Sequence, residues 1–77
     1  MNDQPSRTQF VVCVNNEGYA ASLETRKIYQ ALPDDRAQEH ALIRVIDESG
    51  EDYLYPAAYF AAIDLPPIIE KAFALAD

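Results

Sequence analysis

The chain holds one cysteine, Cys13, and one histidine, His40, the two residue types that together could make a thiolate nucleophile with an imidazole base. A reactive thiol needs an electropositive, partly exposed setting to lower its pKa. Cys13 instead sits between Val12 and Val14, the usual surroundings of a free cysteine that packs as a small hydrophobe. The only other acid–base candidates are His40 and the acids of residues 34–39, on a polar connector. General acid–base catalysis requires groups held within hydrogen-bond reach. The expectation is that this protein is not an enzyme.

Asp47, Glu48, Glu51 and Asp52 crowd a short stretch and offer hard oxygen ligands. A dedicated calcium loop is much longer, about twelve residues. Solvated charges that discourage edge-to-edge pairing are the simpler reading. No C-x-x-C or His/Cys spacing suggests zinc. No metal or other cofactor is expected.

The tyrosines carry more. Tyr53 and Tyr55 alternate with Leu54, so they share one face of any strand that holds them. With Leu54 turned inward, both rings lie outside, where Tyr19 or Tyr59 can join them. Exposed tyrosines bind well because a large rigid ring ends in a polar tip. The alternative is structural: the rings cap a small core, or Tyr29 and Tyr55 pack under a C-terminal helix.

The elements that must place these residues are short. Residues 1–8 read as a polar arm with Pro5 as a breaker. Phe10–Val14 is apolar on both alternating faces, a strand covered on both sides. Asn15-Asn16-Glu17-Gly18 stops it with turn chemistry. Tyr19–Arg26 reads as a long loop, although Ala20, Ala21, Leu23 and Glu24 would tolerate a helix. Lys27–Leu32 is a strand with Tyr29 and Ala31 on one face and Ile28 and Leu32 on the other. Pro33 ends it. Residues 34–40 form a connector with room for one helical turn capped by Asp34. Ala41–Asp47 and Asp52–Tyr55 are two strands of a hairpin in which Gly50 supplies the positive φ of a type I turn with a G1 bulge. Pro56 ends the second, residues 57–59 suit a 3₁₀ turn, and Phe60–Leu65 is a last strand before Pro66 and Pro67. Pro67–Ala76 reads as a helix with Ile69, Phe73 and Ala76 in one apolar stripe and Ala72 beside them. That stripe must cover the same chain's sheet or a second copy in a two-fold dimer.

This order of strands and connectors is that of an SH3-type barrel. Leu54-Tyr55-Pro56-Ala57-Ala58-Tyr59-Phe60 resembles the SH3 segment in which a strand ends at a proline, passes through a 3₁₀ turn holding a tyrosine, and enters the last strand. Gly50 falls where that family's distal hairpin turns, and Leu23-Glu24-Thr25-Arg26-Lys27 resembles the run after its long loop. The resemblance spans residues 10–65. It implies a mostly β fold, a five-stranded SH3-like barrel over residues 9–65 with a short C-terminal α-helix over 66–77. It places Pro56 and Tyr59 where SH3 domains line their groove for proline-rich ligands, in a chain with no tryptophan. The chain also resembles small bacterial proteins with an SH3-like barrel, which implies no activity.

Size and charge set the outer bounds. Seventy-seven residues make one domain, and a chain this short buries only ~60% of the surface its unfolded form exposes. A lone cysteine rules out an internal disulfide. Thirteen acids against six bases leave a net charge of −7, which repels nucleic acid and anionic membranes. The first residues lack the basic start and apolar run of a signal peptide, and no apolar run is long enough to span a membrane. The expected protein is cytoplasmic, a monomer or weak homodimer, and a non-catalytic protein-binding module. Its expected contact residues are Tyr19, Tyr53, Tyr55, Pro56 and Tyr59. The alternative is an acidic nucleic-acid mimic or antitoxin-like inhibitor of a basic protein.

Overall fold

Three residues join two strands that lie at opposite edges of the sheet, and this sets the shape of the molecule. A computed structural model describes the backbone of residues 9–75 and the side chains of residues 9–69, 71 and 72. In chain order the elements are β1 (Gln9–Cys13), β2 (Ile28–Leu32), α1 (Asp35–Glu39), β3 (Leu42–Ile46), β4 (Asp52–Pro56), a 3₁₀ turn (Ala57–Tyr59), β5 (Phe60–Ile63) and α2 (Pro67–Leu75). The strands form one five-stranded sheet in the order β4-β3-β2-β1-β5. Each neighbouring pair is antiparallel.

The polar arm expected for residues 1–8 lies outside the described residues. Among those described, no ladder joins β4 to β5, so in its hydrogen bonding the sheet is open rather than a closed barrel. It is nevertheless coiled. Four strand spacings in a flat sheet would hold β4 about 19 Å from β5, whereas the four steps from Pro56 to Phe60 reach at most about 14 Å. The rings of Tyr55 and Phe60, from the two edge strands, lie 6.2 Å apart.

The curled inner face holds Val11, Cys13, Tyr29, Ala31, Val45, Tyr55 and Phe60. As an inner strand between β2 and β5, β1 is buried on both faces, with Phe10 on one and Val11 and Cys13 on the other. That agrees with its apolar run. β2 also follows its alternation: Tyr29 and Ala31 are buried while Ile28, Gln30 and Leu32 are half-buried. The loop between β1 and β2 contributes Leu23, 1% exposed, which fills the space under the sheet's concave side.

Local signals place the turns. Asp34 caps α1 by accepting the Ala37 N–H at 3.0 Å. In the β3–β4 hairpin the Gly50 N–H donates to Asp47 O at 2.9 Å and the Asp47 N–H to Glu51 O at 3.0 Å. Gly50 has φ +85°, the left-handed residue that a type I turn with a G1 bulge requires. β5 is shorter than expected, ending at Ile63 before Asp64. α2 begins at Pro67 as expected, with Ile68 76% and Ile69 39% exposed. The side chains of Phe73 and Leu75, and all of Ala76, lie outside the described residues, so most of the anticipated stripe does too.

Candidate functional site

The loop at residues 14–27 is built to present Tyr19. Asn16 Nδ2 donates to Leu23 O at 3.0 Å and Asn15 Oδ1 accepts the Glu17 N–H at 2.9 Å. The Tyr19 N–H donates to Asn16 O at 2.8 Å, and the Ser22 and Leu23 N–H groups both donate to Tyr19 O at 2.9 Å. With Leu23 anchored in the core, Tyr19 lies edge-on to Tyr55, ring centroids 4.9 Å apart, and 6.1 Å from Tyr59. Tyr59 ties the 3₁₀ turn to this loop: its hydroxyl donates to Glu17 O at 3.0 Å, and its carbonyl accepts the Val14 N–H at 2.8 Å.

Two adjacent acids fasten the hairpin beneath. Asp47 is 6% exposed. Its Oδ2 accepts the Tyr55 hydroxyl at 2.5 Å, and its Oδ1 accepts the Ser49 N–H at 2.8 Å and the Ser49 hydroxyl at 2.6 Å. Burial pushes this carboxyl up, but the Ser49 and Tyr55 donors outweigh it and hold the pKa below its ordinary value. The Tyr55 phenol is pushed up, first by burial and then by the Asp47 carboxylate it serves. Glu48 accepts the Tyr29 hydroxyl at 2.5 Å and pairs with Lys27 Nζ at 2.6 Å. These two partners lower its pKa, Lys27 first. Burial and then Glu48 push the Tyr29 phenol upward. The Glu48 N–H also donates to Ser22 O at 3.1 Å, and the Glu24 N–H to the Tyr29 hydroxyl at 2.8 Å. Glu48 thus ties the hairpin to the β1–β2 loop through Ser22 and Lys27, while the bonds of Asp47 stay within the hairpin.

Above this clasp lies a groove of about 400 Å³, lined by Tyr19, Ser22, Asp47, Ser49, Tyr53 and Leu54, with buried Tyr55 behind them. Tyr53 is 49% exposed and Tyr19 38%, one on each side, and the Tyr53 hydroxyl donates to Glu51 Oε1 at 2.9 Å. A second cavity of about 300 Å³ lies between the end of β2, α1 and β3. There Arg44 Nε pairs with Asp34 Oδ2 at 2.8 Å and its Nη1 approaches Asp52 Oδ2 at 3.6 Å.

The anticipated contact residues separate in space. Tyr19, Tyr55 and Tyr59 form one ring cluster, and Tyr53 borders the same groove. Pro56 stands opposite Leu42 on the outer face and does not line it. The orientation expected for β4 is reversed. Leu54 is 41% exposed and Tyr55 only 3%, so Tyr55 is a core residue and supports the groove from behind. Val45 and Tyr53 are register partners on that inner face, yet Tyr53 stays half-exposed on the edge strand beside the hairpin turn. Asp47, Ser22, Ser49 and Leu54 were not anticipated as site residues. Asp47-Glu48-Ser49-Gly50 did carry a signal, since aspartate two residues before a serine favours a side-chain-closed turn.

The remaining chemistry-bearing residues point elsewhere. Cys13 is buried, its Sγ donating to Asn15 O at 3.4 Å, and burial pushes its pKa up. His40 is exposed at the C-terminus of α1, and no hydrogen bond joins the two. The four hairpin acids diverge: Asp47 turns to Tyr55, Glu48 to Lys27 and Tyr29, Glu51 to Tyr53, and Asp52 to Arg44. Among the described residues no three His, Cys, Asp or Glu side chains gather as metal ligands, and no helix is long and apolar enough to cross a membrane. Comparison with protein-family models, with curated proteins and with solved structures finds no match to this chain.

Proposed function

We propose that this chain is a non-catalytic protein-binding module on an SH3-like barrel scaffold, and that it engages its partner through the groove between Tyr19 and Tyr53. The strand order β4-β3-β2-β1-β5, the long β1–β2 loop and the 3₁₀ turn before β5 support the scaffold reading. The observation that carries the binding reading is the pair of half-exposed rings, Tyr19 and Tyr53, on either side of a groove held from behind by Tyr55 and Asp47. A rigid aromatic pair on a clasped frame gives up little conformational freedom on binding, which is what makes such surfaces effective. Val14, exposed beside Tyr59 through their backbone bond, extends the apolar surface.

The test is native capture of partners by the full chain, run beside a variant carrying Tyr19→Ala and Tyr53→Ala. A partner retained by the parent and lost from the variant supports the reading. Identical partners on both, or none on either, overturns it.

A further inference from the structure

We propose that the groove between Tyr19 and Tyr53 receives an arginine side chain from an extended basic segment of the partner, an inference that rests on the protein-binding function above. Lys27 is paired with Glu48, and Arg44 with Asp34 and Asp52. At the groove the pattern changes. Among the described residues Asp47 is hydrogen-bonded only by the neutral groups of Tyr55 and Ser49, besides backbone, so none of them neutralises its charge. The Glu51 carboxylate, among the described residues, accepts only the phenol of Tyr53, which lines the groove. No lysine or arginine among the described residues lines the groove. A cleft walled by apolar rings and carrying charge of one sign concentrates a field that attracts the opposite charge.

The groove's other feature selects among cations. Tyr19 and Tyr53 stand half-exposed on opposite elements. A cation lying over a phenol ring is drawn to its face. A guanidinium is flat, so it can stack on one ring while its N–H edge turns toward Glu51, and it gives up its hydration more readily than an ammonium does.

The experiment follows amide resonances of the ¹⁵N-labelled full chain during titration with three nine-residue peptides. In each, serine alternates with arginine, with lysine, or with citrulline, which keeps arginine's shape without its charge. The expected result is a set of shifts confined to residues 19–22, 47–49 and 53–55, with the citrulline peptide about tenfold weaker and the lysine peptide between the two. Tyr53→Ala should weaken the arginine peptide about fivefold, and the exposed Glu51→Gln about twofold to threefold. Each variant is first shown to be folded by its amide spectrum. Equal binding by the citrulline peptide overturns the inference while leaving the tyrosine-groove reading intact. Shifts spread over α1 and Asp64 as strongly as over the groove overturn it too, because they report diffuse attraction to an acidic chain. No shift with any peptide also overturns it, and the wider reading is then decided by the partner-capture experiment alone.

Discussion

The hydroxyl of Tyr55 donates to Asp47 Oδ2 at 2.5 Å, joining the C-terminal part of β4 to the start of its own hairpin turn inside the core. The bond satisfies a phenol and a carboxylate that burial would otherwise penalise. It also aims the Tyr55 ring at Tyr19, so one contact sets both the hairpin and the back of the groove.

Tyr55→Phe keeps the ring and removes the donor. It should destabilise the fold by about 1–3 kcal/mol, because Asp47 stays buried with one fewer partner. Urea unfolding measures this, and a double-mutant cycle with Asp47→Asn should give a coupling clearly different from zero. Additive effects of the two substitutions would show that the bond contributes nothing.

Acid should loosen the clasp. Asp47 and Glu48 both have folded-state pKa values below their unfolded ones. The unfolded chain therefore binds more protons in that window, and stability falls as pH falls. The contribution is fully present above the unfolded carboxylate values of about 4 and is lost below them as the folded values are passed. The melting temperature should drop as pH goes below about 4, and Asp47→Asn should flatten the slope. An unchanged slope would remove Asp47 from the explanation.

Alkali should act with the opposite sign. The Tyr29 and Tyr55 phenols are raised above their ordinary values. Their stabilising effect is complete below the unfolded tyrosine value of about 10 and fades as pH rises beyond it. Ultraviolet titration should show Tyr29 and Tyr55 ionising late, together with loss of the near-ultraviolet dichroism.

Leu23→Ala should cost about 2–5 kcal/mol, the range for emptying a well-packed leucine site. It should also free the β1–β2 loop, since Leu23 is that loop's buried anchor. Hydrogen exchange at the Ser22 and Leu23 amides, both bonded to Tyr19 O, should accelerate more than exchange in β2. Uniform acceleration would mean that the loop is not separately held.

Gly50→Ala meets no neighbouring atom within 4 Å of the added Cβ, so packing is not at issue. With φ at +85°, the cost is conformational, about 1–2 kcal/mol. Chemical denaturation gives the value, and a neutral result would mean that the turn has relaxed to another type.

Local physics was legible in the residues alone. Asp34 caps α1, Pro33 follows the end of β2, and Gly50 closes the hairpin, because each depends on backbone geometry within a few residues. The double-faced apolar run of β1 marked a strand covered on both sides for the same reason. Alternation likewise put Tyr53 and Tyr55 on one face, but it carries no sign: period two says which side chains agree, not which side the core lies on. That was decided when the three-residue turn drew β5 round to β4 and set Phe60 against Tyr55. The fate of the hairpin acids was equally out of reach, since Asp47, Glu48, Glu51 and Asp52 look alike in one acidic run. Which of them is buried and left without a cation depends on Tyr55, Tyr29, Lys27 and Arg44. Tyr55 and Arg44 belong to the same hairpin, but Tyr29 and Lys27 come from β2 and the residue before it, and only the tertiary fold brings these two to Glu48.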